Sequence, residues 1–313
     1  MTEFRSDCLN VLFSSDDGYA QHLGAAMYSL LEHNSDFNKI QLFIVDNHIS
    51  VANKARLETI GHQFPNAVIV WVQFDAWEEQ LKLDMAWSIS VSSYARLFVG
   101  SMIPANVEKI LYLDCDMIVC RSLKELWNTD LQGCVLGAVQ DFVNDRTKAS
   151  VGVAPHEKYI NAGMLLIDLN LWRKANVELE SLRFINEHQG NVTHHDQGVL
   201  NGVLRGKIHI LPLRYNLMTI HYMFNRRKLS KYYLDKAIFY SEAEVEEAKK
   251  EPTILHYTPS FTSRPWVRDC CHPLKKLYWQ AVEQTPWRGT KYISNNAKWY
   301  VRLIDWRYRN LPF

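Results

Sequence analysis

Asp114 and Asp116 flank Cys115 directly after the apolar run Ile110–Leu113. Alternation along an extended chain puts both carboxylates on one face and Cys115 on the other. Two carboxylates at that spacing form a hard, anionic oxygen site suited to Mn²⁺ or Mg²⁺, which would bridge to phosphate oxygens. Two solvated loop acids would give the same triplet; its place behind a buried run favours the metal. His256 ends a second apolar run, Thr253-Ile254-Leu255. A histidine at a strand end is ordinarily structural. As a neutral imidazole, however, it would complete an O,O,N ligand set with the two aspartates, which Mn²⁺ tolerates better than Mg²⁺.

Several competing chemistries lack their signatures. No G-x-G-x-x-G follows the first apolar run, which disfavours a dinucleotide site of the usual kind, and no G-x-x-x-x-G-K-[ST] is present. H-E-x-x-H and G-x-S-x-G are missing too. The pair His194-His195 precedes Asp196, but adjacent residues point different ways in any regular element, so a loop or helix-cap role suits it better than zinc.

These residues need elements to hold them. Asn10–Phe13, Gln41–Val45, Ala67–Val72 and Lys109–Leu113 read as strands. Between them, Leu23, Met27, Leu30 and Leu31 recur at helical spacing, and further helices are predicted near 51–63 and 90–99. Strands alternating with helices imply an α/β fold whose largely parallel sheet is covered on both faces. Ligands of such sheets sit beyond the carboxyl ends of the strands. Acid stands at all four ends: Ser15-Asp16-Asp17, Asp46, Asp75 and Asp114-Cys115-Asp116. That edge suits a divalent cation.

The composition agrees with a folded, soluble chain. Of 313 residues 47% are hydrophobic and 22% charged, with a net charge of +1, so no global field organises binding. Six scattered cysteines without a C-x-x-C pair favour a reducing, cytoplasmic setting. The chain has no apolar run long enough to span a bilayer, and MTEFRSDCLN lacks a signal-peptide pattern.

Seven segments in order carry a resemblance: Asn10–Leu23 (NVLFSSDDGYAQHL), Ser93–Phe98 (SYARLF), Ile110–Val119 (ILYLDCDMIV), Tyr159–Arg173 (YINAGMLLIDLNLWR), His195–Gly202 (HDQGVLNG), Arg214–Met218 (RYNLM), and His256-Tyr257 with Arg264-Pro265-Trp266. The chain resembles glycosyltransferase family 8, especially its bacterial lipopolysaccharide galactosyl- and glucosyltransferases. The resemblance implies a GT-A fold, with a nucleotide-binding half over about 1–120 and a sugar- and acceptor-binding half over about 121–263. It implies transfer of a hexose from UDP-glucose or UDP-galactose with retention. Asp114, Asp116 and His256 would hold Mn²⁺, with Mg²⁺ as the substitute. Ser14, Ser15, Asp16 and Tyr19 would form the uridine loop. Arg96, Asp141, Asn161 and Ala162 fall where the family holds the donor sugar, and Asp196 and Gln197 fall at the reacting face. Arg96 read alone suits an ion pair, Asn161–Gly163 a tight turn, and Asp196 a helix cap. The family's lysine before Pro-Trp is here Arg264, after a spacer two residues longer, and its fork can clamp a diphosphate. A glutamine amide is a poor nucleophile, so same-face attack is the favoured route, with Gln197 and Asp196 stabilising positive charge on the sugar.

Residues 264–313 stand apart, with ten basic against three acidic side chains and five of the ten tryptophans. Leu274, Leu277, Tyr278 and Ala281 share a helical face, as in a helix packed on the body. Past 296, interleaved aromatics and cations fit an anionic membrane surface better than nucleic acid. The expectation is a retaining hexosyltransferase acting on a glycan or lipid-linked glycan, cytoplasmic and peripheral on the membrane. The alternatives are a metal-dependent sugar-nucleotide hydrolase or nucleotidyltransferase, and a non-catalytic sugar-nucleotide-binding protein.

Overall fold

The computed structural model describes residues 7–73, 91–233 and 239–294, with single positions at 302, 303, 306, 307 and 310. Its strands are β1 (Cys8–Asp16), β2 (Lys39–Asn47), β3 (Ala67–Gln73), β4 (Lys109–Leu113), β5 (Met117–Val119), β6 (Leu136–Gln140), β7 (Ile160–Asp168), β8 (Ile208–Ile210), β9 (Leu217–Met218) and β10 (Ile254–His256). Seven form a sheet of order β3-β2-β1-β4-β7-β6-β8, and three a small sheet of order β5-β10-β9. All pairs of the large sheet are parallel except those of β7, which runs antiparallel to both β4 and β6.

The apolar runs 10–13, 41–45, 67–72 and 109–113 lie within β1 to β4. Those of β1, β2 and β4 read as continuous because both faces of the sheet are covered there, whereas β3, at the sheet edge, is only partly buried. Leu111, Leu113, Met164 and Leu166 point into one core, and Ile110, Tyr112, Leu165 and Ile167 into the other. The helix Ala20–Glu32 (α1) packs in the first core through Leu23, Met27, Leu30 and Leu31. The helix Val51–Gly61 (α2) starts at Ser50, whose hydroxyl accepts from the Asn53 N–H at 3.3 Å.

The helix predicted near 90–99 is instead a 3₁₀ segment, Val91–Phe98, leading into a single α turn, Val99–Met102. Tyr94, Ala95, Leu97, Phe98 and Val99 are all buried, so apolar spacing carries no helix period there. Nor are the four acidic strand ends alike. Asp46 is ion-paired to Lys54 and accepts the Ile49 N–H at 2.8 Å, which makes it part of the fold. Asp75 lies outside the described residues.

The chain winds outward from β1 to β3 and returns to place β4 on the other side of β1. That reversal opens a crevice between the carboxyl ends of β1 and β4. Ser14–Asp16 and Asp114–Asp116 border it, joined where the Cys115 thiol donates to the Ser14 carbonyl at 3.2 Å.

The segment after 264 begins in this core. Trp266 stacks on His22 with ring centroids 3.6 Å apart. The helix Lys275–Glu283 lies against α1, with Tyr278, Ala281 and Val282 buried. The Tyr278 hydroxyl accepts from Gln21 at 2.9 Å and lies 2.7 Å from His22 Nδ1. The stretch from 296, read from sequence as a membrane contact, lies mostly outside the described residues. Among the described residues no helix is long and apolar enough to cross a membrane.

Two buried histidines make the fold acid-sensitive. Burial pushes His221 down to about 3 and His272 down to about 4. Among the described residues, neither ring nitrogen of His221 has a hydrogen-bond partner. Both groups stay neutral in the fold and would protonate in the unfolded chain, so their contribution is intact above about pH 6.5 and is lost as pH falls toward their folded values. Each is expected to steepen the loss of stability by about 1.4 kcal/mol per pH unit in that window. Urea melts at stepped pH test this: His221→Phe should flatten the slope by one such increment, and an unchanged slope would refute the assignment.

Candidate metal and sugar-nucleotide site

β4 ends at Leu113, and the turn to β5 carries Asp114 and Asp116. In the small sheet β10 pairs with β5 in the register His256 to Met117, and the Tyr257 N–H donates to the Asp116 carbonyl at 2.9 Å. Strand pairing therefore delivers His256 to the aspartates across 140 residues of sequence. The three ligand atoms lie within 4.8 Å of one another. His256 Nε2 is 3.1 Å from Asp116 Oδ1 and 3.8 Å from Asp114 Oδ2.

The donor set fits a hard divalent ion: two carboxylates and one imidazole, with His256 and Asp116 buried and Asp114 partly open. Space at the set depends on Gly163. A Cβ at that position would meet His256 Cε1 at 2.4 Å and Asp114 Oδ2 at 2.9 Å. The Gly163 carbonyl accepts the Asp114 N–H at 2.8 Å, so the close approach is built into the β4–β7 edge.

Two arginines balance the carboxylates. Arg264 Nε donates to Asp116 Oδ2 at 2.9 Å. Burial would push the Asp116 carboxyl up, but His256 and Arg264 outweigh it and hold that group well below the usual carboxylate range. Arg96, 5% exposed, spans the other side. Its guanidinium donates to Asp114 Oδ1 at 2.8 Å, to Asp196 Oδ2 at 2.9 Å and to the Ala162 carbonyl. Burial opposes its charge, and the attraction of Asp114 and Asp196 prevails. It also lies 4.2 Å from the ring centroid of Tyr112, whose hydroxyl donates to Asp114 Oδ1 at 2.9 Å. Asp196 differs from Asp116: burial pushes it up to about 6, with Arg96 opposing and Asp114 adding to the rise.

Beyond Asp196, at the start of the helix His195–Val203, the Gln197 side chain is held by three contacts. Its Oε1 accepts from the Ala162 N–H at 3.1 Å and from Asn161 Nδ2 at 3.2 Å. Its Nε2 donates to Asp141 Oδ2 at 2.9 Å, an oxygen that also accepts from Asn161 at 3.1 Å. The backbone donor of Ala162 settles which end of the glutamine amide is oxygen. A cavity of about 300 Å³ opens beside Asp141 and Asn161, bounded by Phe142, Met218, Tyr233 and Thr258.

Asp114, Asp116, His256, Arg264, Arg96, Asp196, Gln197, Asp141, Asn161 and Ala162 thus form one connected group. The loop from the end of β1 adjoins it. Ser14 and Ser15 are buried there, the Ser15 hydroxyl donates to the Asp16 carbonyl at 3.0 Å, and Asp16 Oδ1 caps the following turn by accepting the Tyr19 N–H at 3.0 Å. Tyr19 packs edge-on to Trp266, 6.1 Å between centroids. His194 is the helix N-cap, with left-handed backbone at φ 60°, in keeping with the loop or cap role expected of it. Sequence reasoning gave no site role to Tyr112, Gly163 or Asn216, and the turn it offered for Asn161–Gly163 is instead part of β7. Asn216 lay in the quoted Arg214–Met218 segment, and its role appears only with its partners in place.

The profile of Glycosyl transferase family 8 matches residues 10–270. General stress protein A of Bacillus subtilis (strain 168) is 27% identical over 286 residues, covering 90% of this chain and 96% of that protein. The lipopolysaccharide 1,2-glucosyltransferase of Escherichia coli (strain K12) is 25% identical over 308 residues, covering 96% and 86%. Among solved structures, the galactosyltransferase LgtC in complex with donor and acceptor sugar analogs superposes with a TM-score of 0.71 at 28% identity, over 89% of this chain and 96% of that one. A mixed, mostly parallel sheet of the GT-A type, with the aspartate pair and histidine converging at its switch point, agrees with the profile over most of the chain: it belongs to glycosyltransferase family 8.

Proposed function

We propose that the chain moves a hexose, glucose or galactose, from its UDP-sugar to a glycan acceptor with retention of configuration. The observation that carries this reading is the convergence of Asp114, Asp116 and His256 at the crevice between β1 and β4, with Gly163 leaving room for an ion. Mn²⁺ held there, or Mg²⁺ in its place, would supply Lewis-acid stabilisation of the leaving diphosphate. Arg264 would then turn its fork from Asp116 to a phosphate oxygen. Ser14, Ser15, Asp16 and Tyr19 border the same crevice and are assigned to the uridine. Arg96, Asp141, Asn161 and Ala162 are assigned to the donor sugar.

Gln197 has both amide ends engaged, its oxygen by two donors. An oxygen so occupied is poorly placed to attack carbon. It is well placed to present fixed negative potential toward an oxocarbenium-like centre, which supports same-face attack over a covalent intermediate. Asp196, buried against Arg96, adds charge of the same sign when ionised.

The similarity to a lipopolysaccharide glucosyltransferase supports lipopolysaccharide core or another cell-surface glycan as acceptor. The interleaved cations and tryptophans beyond 296 supply the means of holding the enzyme peripherally on the cytoplasmic face of an anionic membrane.

A donor screen tests the reading. Purified protein with Mn²⁺ receives each UDP-sugar in turn, with UDP release followed beside an Asp116→Asn variant. Release from UDP-glucose or UDP-galactose alone, reduced by about 1,000-fold or more in the variant, is the expected result. Free hexose accumulating at the same rate whether or not acceptor is present would point to a hydrolase instead. Absence of Mn²⁺-dependent UDP binding would end the proposal.

A further inference from the structure

We propose that Asn216 is a positioning residue that fixes the tautomer of His256 and ties the metal ligands to the Gln197 side of the site. The inference rests on the metal-dependent reading above and adds a residue to it. Asn216 is fully buried (0% exposed) and follows the 3₁₀ turn Leu213–Tyr215. The chain of contacts starts at a backbone group whose polarity is not in question. The Gly163 N–H donates to Asn161 Oδ1 at 3.0 Å, which leaves Asn161 Nδ2 facing Asp141 and Gln197. Asn161 Oδ1 takes a second donor at 2.9 Å, and that donor must be Asn216 Nδ2. The other end of the Asn216 amide, its oxygen, therefore lies 2.9 Å from His256 Nδ1.

An oxygen there demands a proton on Nδ1. His256 Nε2 is then the nitrogen turned to Asp114 and Asp116, and its lone pair is available to an ion held by their carboxylates. At the far end, the Ala162 N–H fixes the Gln197 amide in the same way. One line of amides, set by two adjacent strand residues of β7, thus orients both the imidazole ligand and the catalytic-face glutamine.

The two arms of this role separate by substitution. Asn216→Asp keeps an acceptor for Nδ1 and loses the donor to Asn161. Asn216→Leu keeps the volume and loses both. Mn²⁺ affinity, measured by titration without any sugar nucleotide, should stay within about threefold of wild type in Asn216→Asp and fall by about 10–100-fold in Asn216→Leu. Turnover should fall in both, since both leave Asn161 Oδ1 short of a donor. A folded Asn216→Leu protein with wild-type Mn²⁺ affinity would overturn the inference, as would equal losses of affinity in the two variants. If neither variant folds, the test moves to the wild-type, metal-free protein: a long-range ¹H–¹⁵N spectrum at mildly alkaline pH, with His256 assigned through His256→Gln, should show Nδ1 protonated. An unprotonated Nδ1 would sink it. Failure of wild type to bind Mn²⁺ with Nδ1 protonated would instead sink the metal-dependent reading and leave the tautomer assignment standing.

Discussion

Gly163→Ala is expected to remove metal binding while leaving a folded protein. The added methyl would stand 2.4 Å from His256 Cε1, a separation that cannot persist, so one partner must move. His256 cannot retreat easily: it is 4% exposed, pinned through Nδ1 to Asn216 and paired on both sides in the small sheet. Asp114 Oδ2, at 2.9 Å from the same methyl, is freer, but it also holds Arg96 and Tyr112 through its other oxygen. Whichever moves, the O,O,N set opens. Mn²⁺ affinity should fall by about 100-fold or more, as when ligand support is lost outright. Overpacking would cost about 1–3 kcal/mol, partly offset by the lower chain entropy of alanine in the unfolded state. Gly18→Ala is the control, since among the described residues the added methyl would meet only Asp16 Oδ1, at 3.4 Å. Calorimetric Mn²⁺ titration with thermal melts on both variants decides it. Retained affinity in a folded Gly163→Ala protein would show that these three residues are not the ion's ligands.

That test turns on a methyl group nothing in the sequence points to, and the contrast marks what was legible. The aspartate pair could be read because a carboxylate at the end of an apolar run is out of place in a core, and D-x-D spacing repeats along an extended chain. The strands β1, β2 and β4 could be read because both of their faces are buried and their runs are unbroken, and β3, an edge strand only partly buried, because its apolar run is unbroken too. The same property concealed the direction of β7: a strand apolar on both faces carries no mark of running antiparallel. The 3₁₀ segment Val91–Phe98 escaped for the related reason that its residues 94–98 are all buried and present no polar face to set a period. Asp46 shows the opposite error. It ends a strand as Asp114 does, but Lys54, one turn into α2, claims it for the fold. Asn216 and Gly163 act through what they touch. An asparagine's two ends, and the absence of a side chain, acquire meaning only beside His256 and Asn161.

Arg96 is the residue whose loss should be felt in both stability and turnover. Its fork answers Asp114 and Asp196 at once, at 2.8 and 2.9 Å, and its third direction is taken by the Ala162 carbonyl. Arg96→Met keeps much of the volume against Tyr112 and strands a buried carboxylate. Breaking a buried pair from one side costs about 3–5 kcal/mol. The cost should depend on pH in a defined sense. In wild type Asp196 already lies at about 6, above its ordinary 3.8, because burial outweighs Arg96. Without the arginine its folded value rises further. A carboxyl raised in the fold destabilises as pH climbs from the unfolded value through the folded one; because variant and wild type differ only in the folded value, the gap between them should open as pH rises past about 6 and close as it falls below that. Denaturant melts of the two proteins across that range measure it directly. A gap independent of pH would mean that Arg96 stabilises by packing, and that Asp196 is not its dependent. Turnover should fall by about 100-fold or more even where the variant is folded, because Asp114 and Asp196 lose the guanidinium that bridges them. Arg96→Lys should recover stability more than turnover: a point charge can neutralise the pair, but it has no fork to hold two carboxylates and a carbonyl in register.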